Sequence, residues 1–372
     1  MQLLRLLGIS HPSAFIYFLL IFAPIAILLN FVEADHLVLF AVATVALIPL
    51  AKLIGESTEH LSSHYGATVG SLLNVTFGNA AEIIIGIVAI NAGLLELVKA
   101  SITGSILGNI LLIFGLSIVT AGLKYKEQRF NRENIGLQSS MLFLAIIGLA
   151  IPTVLAATVL PHSNNEGKVQ LLSDLLAFIL LIVYILGIVF TFLTHKHLFV
   201  PLSQGEQEKK DESAQEQHQK WSRKKSFVLL AASMVGVAAV SEILVGSVEA
   251  TAKQFGFGEL FVGAVIVGIV GNAAEHSSAI MLARKGKIEV SIGIAAGSGT
   301  QIALFVVPIL VIVGIAIGQP FTLVFTPFEL AAIFLAAIIL NLIVHDGKSN
   351  WFEGVMLTAV YVIIAIGFFF VG

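Results

Sequence analysis

The pentapeptide Gly78-Asn79-Ala80-Ala81-Glu82 recurs unchanged as Gly271-Asn272-Ala273-Ala274-Glu275, 193 positions later. In each copy the amide and the carboxylate are three residues apart, so on a helix they share a face. Their oxygens are hard ligands, suited to Ca2+ or Mg2+ rather than to soft metals. Glu82 lies seventeen residues into an apolar run that starts near Gly66, and Glu275 is equally deep in its own run. A charge at such depth in a bilayer is costly and is usually functional. All twenty Lys and Arg can be placed at the ends of apolar runs, so a structural ion pair is a weak explanation for the two glutamates. Such a carboxylate must be protonated or neutralised by a bound cation. A group that can be either is what proton–cation exchange requires.

The 193-residue offset also pairs Val69-Gly70 with Val262-Gly263, Gly104-Ser105 with Gly297-Ser298, and Glu56 with Glu249. One ungapped register over some fifty residues reads as an internal duplication. The next helix in each half offers more oxygen: Thr103-Gly104-Ser105 with Asn109, and Gly297-Ser298-Gly299-Thr300-Gln301. Ser105 and Ser298 read equally well as ligands or as packing residues, and Gly104-x-x-x-Gly108 as plain helix packing. Gln301 is costlier at that depth, which favours a ligand role over an interhelical hydrogen bond. Gly78 and Gly271 allow a kink or expose a carbonyl, with close helix packing as the alternative. Glu56, with Glu59, falls at one mouth and Glu249 at the other, as acidic vestibules or simply as solvated helix ends. Glu242 lies deeper and reads as a pathway residue. Asp174, Glu329, Asp346 and Glu353 lie near run ends and read as interfacial, and His60, His64 and His276 as bystanders.

The elements that must position these residues are membrane helices. Of 372 residues 57% are hydrophobic and only 12% charged, with no cysteine, which excludes a soluble globular protein and a disulfide framework. Runs of span length occur at roughly 13–32, 37–58, 66–92, 98–122, 138–160 and 171–194, then at 226–252, 258–283, 288–317, 327–344 and 351–371. With the N-terminus inside, seventeen Lys and Arg fall in inner segments and three, Lys99, Lys168 and Lys253, in outer ones. The expected fold is therefore all-α and polytopic, with eleven transmembrane helices. A leader helix (1–36) precedes a five-helix repeat (37–195), a charged cytosolic linker (196–225) and a second five-helix repeat (226–372). An odd number of spans per repeat inverts one against the other, the architecture of secondary transporters. A pseudo-twofold axis in the membrane plane would then bring Glu82 and Glu275 within reach of one ion. The polar segment 203–225 reads as a solvated linker, with a regulatory or cation-attracting role as the sharper alternative. No cleavable signal is apparent.

GNAAEIIIGIVAI at 78–90 and GNAAEHSSAIMLARKGKIEVSIGIAAGSGTQIALFVVPILV at 271–311 resemble the two signature repeats of the cation/proton exchangers, within the cation/Ca2+ exchanger superfamily. The resemblance extends over most of the chain. It implies a Ca2+/H+ antiporter working by alternating access, with Glu82 and Glu275 as central cation ligands and proton carriers. Asn79, Asn272, Ser105, Ser298 and Gln301 would complete or support the site. The sodium-coupled branch carries proline before its glutamate, and here Ala81 and Ala274 stand there, which favours proton coupling. The linker is mixed in charge where the family has an acidic segment. The short N-terminus lacks the long extension of plant vacuolar members, which favours a bacterial plasma membrane, with the C-terminus outside. Mn2+/H+ and Na+/Ca2+ exchange are the near alternatives. A channel would need a continuous polar stripe or filter loop, and an intramembrane protease a His-Glu-x-x-His pair or a Ser-His dyad. None is apparent, so the chain is not expected to be an enzyme. Ca2+ and H+ would be substrates with no cofactor, the bilayer the surroundings, nucleic acid no partner, and a homo-oligomer open.

Overall fold

The computed structural model describes residues 14–158, 166–195 and 221–371. Long apolar segments have one way to bond their backbone in lipid, and that is to coil. The described chain is accordingly helical. Its helices are α1 (Ile16–Phe31), α2 (His36–Ser62), α3 (Gly66–Gly78), α4 (Ala80–Asn91), α5 (Leu95–Gly122), α6 (Arg132–Thr158) and α7 (Gly167–Thr194). Then come α8 (Arg223–Phe255), α9 (Glu259–Gly271), α10 (Ala273–Arg284), α11 (Ile288–Ala316), α12 (Pro327–Val344) and α13 (Trp351–Val371). Strands β1 (Gln128–Arg129) and β2 (Lys348–Ser349) pair as a short antiparallel ribbon.

Among the described residues nine helical runs are long and apolar enough to cross a membrane, or ten if the bent pair α9 and α10 counts as one. Ten of the eleven expected runs are thus accounted for among the described residues. The first expected run, 13–32, forms the shorter apolar helix α1. Most of the linker, up to residue 220, lies outside the described residues. Local signals set several ends. The Asp35 carboxylate accepts from the Leu37 N–H at the start of α2, Gly256 at φ 67° closes α8, and a Thr326–Glu329 capping box starts α12.

Packing divides the chain into two units, Met1–Val88 with Leu202–Gly256 and Ala89–Pro201 with Phe257–Gly372. Each draws on both expected repeats, so the compact units cut across the division by sequence. In the first unit α8 lies along α2, with α1 and α3 also against α2. Trp221, Tyr17 and Leu53 form a buried cluster there. His60 stacks on the Trp221 ring at 4.5 Å, and His64 Nε2 lies 2.9 Å from the Trp221 carbonyl oxygen.

In the second unit α5 is central, touched by α9, α11, α12 and α13. Its crossing with α9 is backbone on backbone. A Cβ on Gly104 would overlap the Ala264 carbonyl, one on Gly263 would stand 2.6 Å from Ala100 Cβ, and one on Gly268 would stand 2.8 Å from the Gly104 carbonyl carbon. Gly104→Ala must push the two helices apart. Overpacking a tight core costs about 1–3 kcal/mol, and here the obstacle is backbone that has no rotamer to change. We expect Gly104→Ala to lose transport and most folded protein, whereas Gly293→Ala, with nothing within 4 Å, stays within about twofold of wild type. Monodisperse yield on size exclusion and ion uptake check this. Equal behaviour of the two variants would contradict the close crossing.

On the loops, Glu127 takes Arg129 at 2.9 Å and Lys348 at 3.4 Å across the ribbon. The Arg129 hydrogen bond, and then the Lys348 charge, hold its carboxyl below the usual carboxylate range.

Candidate functional site

Both copies of the repeated pentapeptide contain a helix break, and in both the break falls on the asparagine. Asn79 has φ −96° and ψ 17°, and Asn272 has φ −93° and ψ 14°. At each the backbone N–H turns away from the carbonyl four residues back, to Phe77 O in one copy and Val270 O in the other. The asparagine side chain supplies the missing donor. Asn79 Nδ2 donates to Val75 O at 3.1 Å, and Asn272 Nδ2 donates to Gly268 O at 3.1 Å. A buried carbonyl left bare would cost about 1–3 kcal/mol, so an amide at this position makes the interruption tolerable.

The chain then restarts as α4 and α10, whose first turns hold Glu82 and Glu275. Ile83 N–H donates to Asn79 O and His276 N–H to Asn272 O, the first bonds of the new helices. Each glutamate is therefore the third residue of a half-helix, at its positive end, where an anion is favoured. Both Glu82 carboxylate oxygens are shut off from solvent. In the second copy the bend is 61°, whereas Leu72–Asn91 reads through as one span.

In the second unit the break joins a buried amide network. Asn109 Nδ2 donates to Asn272 Oδ1 at 2.9 Å, and Asn272 Nδ2 also donates to Ser105 Oγ at 3.0 Å. Ser105 Oγ donates to Gly268 O at 3.3 Å. Asn109 Oδ1 is buried with no hydrogen-bond partner. Asn109 is the second residue of a π-helical turn, Gly108–Ile113, in α5, and α11 has its own at Ile302–Val306, directly after Gln301. By the 193-residue offset these are the same place in the two repeats, and such turns frequently mark functional sites. Ser298 is buried and Gln301 half-buried on α11, which packs on α10.

Among the sequence-chosen residues, the second unit brings Asn272 and Ser105 into hydrogen-bond contact and holds Glu275, Ser298 and Gln301 on the packed pair α10 and α11. The first unit holds Asn79, Glu82, Glu56, Glu242 and Glu249. Glu56 and Glu249 each have a lysine one turn away: Lys52 Nζ is 3.9 Å from Glu56, and Lys253 Nζ is 3.9 Å from Glu249. Their charge is partly balanced locally. Glu242 is exposed on α8.

Several placements differ from the sequence reading. Lys52 and Lys99 are buried at 7% and 6% exposure, not merely terminal. Glu329 is fully buried rather than interfacial. His276 is buried, with its Cε1 3.9 Å from where a Gly108 Cβ would stand. Asn109 is central, and its signal was a lone amide four residues after Ser105 in an apolar run. The break falls one residue after Gly78 and Gly271, where the sequence allowed a kink, but its place on the asparagine had no signal of its own.

The chain matches the sodium/calcium exchanger protein family over residues 36–193 and 225–370. It is 42% identical over 368 residues to a Ca(2+)/H(+) antiporter of Aphanothece halophytica, covering 97% of each chain. It is 43% identical over 360 residues to the Ca(2+)/H(+) antiporter ChaA of Bacillus subtilis, covering 95% of this chain and 99% of that one. Its structure is similar to that of native YfkE, with a TM-score of 0.80 and 40% identity over 95% of this chain and 99% of the other. The chain is an integral membrane protein and belongs to the sodium/calcium exchanger protein family.

Proposed function

We propose that this protein is a secondary active transporter that exchanges Ca2+ for H+ by alternating access, with Glu82 and Glu275 binding either the divalent ion or protons. The observation that carries this reading is the duplicated half-helix start. Two breaks with matching asparagine backbone angles each place a carboxylate at a positive helix end with an amide beside it. Such starts suit oxygen ligation of a hard cation. The relatives at 42% and 43% identity support Ca2+ and H+ as the substrates. Asn79, Asn272, Ser105, Ser298 and Gln301 complete or support the site. The repeats are inverted, the helices total eleven, and the N-terminus and linker face the cytoplasm of a bacterial cell.

Two carboxylates near one another resist simultaneous ionisation in an apolar setting. The occupied site holds a divalent ion with two carboxylates, and the vacant one holds two carboxylic acids. Only these near-neutral states cross between inward- and outward-facing forms, so exchange follows without a separate proton channel. Alanine at 81 and 274 supports protons over sodium as the coupling ion. The test is purified protein in liposomes with an imposed pH gradient, comparing Ca2+, Mn2+ and Na+ uptake. Ca2+ uptake driven by an outward proton gradient is expected. Uptake that needs a sodium gradient and ignores pH would reverse the assignment.

Glu56, Glu249 and Glu242 tune the local ion concentration or line its path. Because Lys253 lies beside Glu249, Glu249→Gln should lower uptake by no more than about twofold at low salt, with the difference gone near 0.5 M salt, where charges are screened within a few ångströms. Loss of transport at every salt concentration would place Glu249 in the ion site.

A further inference from the structure

Glu329 is an acid in the first turn of α12, a position that ordinarily faces water, yet it is 0% exposed. Its Oε2 closes the capping box, accepting from the Thr326 N–H at 2.8 Å and Thr326 Oγ1 at 2.9 Å. Its Oε1 reaches another helix and accepts from Thr103 Oγ1 on α5 at 3.2 Å. Among the described residues no lysine or arginine forms an ion pair with it. Lys99, four residues before Thr103 on the same face of α5, is committed to Glu96 at 2.8 Å. A helix cap needs neither this burial nor this second bond.

Residues two apart on a helix point about 200° apart, so Thr103 and Ser105 lie on opposite sides of α5. Ser105 faces the Asn272 amide, and Thr103 faces Glu329 from behind. Between them is Gly104, where α5 meets the α9 backbone with no side chain to interlock. That crossing sets how near the helices come and by itself does little against rotation of α5 about its axis, which the packing of α11, α12 and α13 limits only in part. The bond behind it resists that rotation.

We infer that Glu329 is a positioning residue for ion binding. Through Thr103 it fixes the rotation of α5, so that Ser105 and Asn109 present their polar groups to Asn272. It touches no transported ion. This rests on the reading of the protein as a Ca2+/H+ antiporter. Of its three contacts only the Thr326 N–H is an obligate donor, so a glutamine could still reach the Thr103 hydroxyl through its NH2 and only removal of the side-chain head breaks the link.

The test is Ca2+-driven proton release in proteoliposomes for Thr103→Val, Thr103→Ser and Glu329→Ala, each checked for folding by thermal melting. Thr103→Ala replaces Thr103→Val should the latter not fold. Loss of the hydroxyl is expected to raise the Ca2+ KM about 3–10-fold with Vmax within about twofold, roughly the value of one buried hydrogen bond. Thr103→Ser, which keeps the donor, returns KM to within about twofold of wild type, and Glu329→Ala shifts KM at least as far as Thr103→Val does. A folded Thr103→Val or Thr103→Ala variant with wild-type KM overturns the inference. So does a serine variant as impaired as the valine one, since packing of the methyl would then be the cause. Failure of the wild-type protein to exchange Ca2+ for protons would instead overturn the functional reading beneath it.

Discussion

Glu275→Gln abolishes Ca2+-driven proton release while the protein still folds, and Glu82→Gln does the same. Each is one of two proposed anionic ligands, and each opens a half-helix after an asparagine with matching backbone angles. Removing one partner from a buried charged set costs on the order of 3–5 kcal/mol, which is more than about 100-fold in an equilibrium constant. The amide is neutral, so it burdens the apolar surroundings less than the charge it replaces, and melting should change little. A pH-sensitive dye in proteoliposomes, with a melting curve for each variant, reads both halves of the expectation. Wild-type release by either glutamine variant would mean that the two-carboxylate account is wrong, and Glu242 would become the next candidate for proton carrier.

Asn272→Ala should be nearly as damaging, for a different reason. Its amide covers the Gly268 carbonyl, holds Ser105 and receives Asn109. With alanine there, Asn109 Nδ2 loses its acceptor and Gly268 O keeps only the longer Ser105 bond at 3.3 Å. Each stranded buried group costs about 1–3 kcal/mol. The break can then heal into straight helix, for which alanine is the best former, and that would re-aim Glu275. We expect at least a tenfold loss of Ca2+ uptake, with Asn79→Ala similar through the Val75 carbonyl. Uptake assays beside hydrogen exchange at residues 268–276 would show whether the break closes. A variant with wild-type uptake would reduce the asparagine to a packing residue.

Much of this arrangement was legible in the sequence. The apolar runs predict the helices to within a few residues, because span length and hydropathy leave little choice in lipid. The run expected at 327–344 is α12, and the one at 288–317 is α11. The burial of the Glu82 carboxylate was legible too, from its place in its run. What sequence could not show was made by contacts within and between helices. A kink was allowed at Gly78 and Gly271, but the break at Asn79 and Asn272 depends on a side-chain amide standing in for a backbone donor, which the sequence does not show. The π-helical turns at Gly108–Ile113 and Ile302–Val306 are single extra residues in otherwise regular pitch. Glu329 counts as a helix-end acid by position and becomes a buried one only because α5 brings Thr103 to it. The compact units mix the two halves of the chain, because α8 pairs with α2 across nearly two hundred residues.

The central claim is that Ca2+ and protons occupy the same two carboxylates in turn. The most direct measurement is the apparent Ca2+ affinity of the reconstituted wild-type protein as a function of pH. If protons compete for both ligands, KM for Ca2+ rises as pH falls, with a slope of log KM against pH approaching minus two, while Vmax at saturating Ca2+ holds nearly level. A Ca2+ KM that stays constant across the same pH range, with only Vmax changing, would place the protons elsewhere and contradict the shared site.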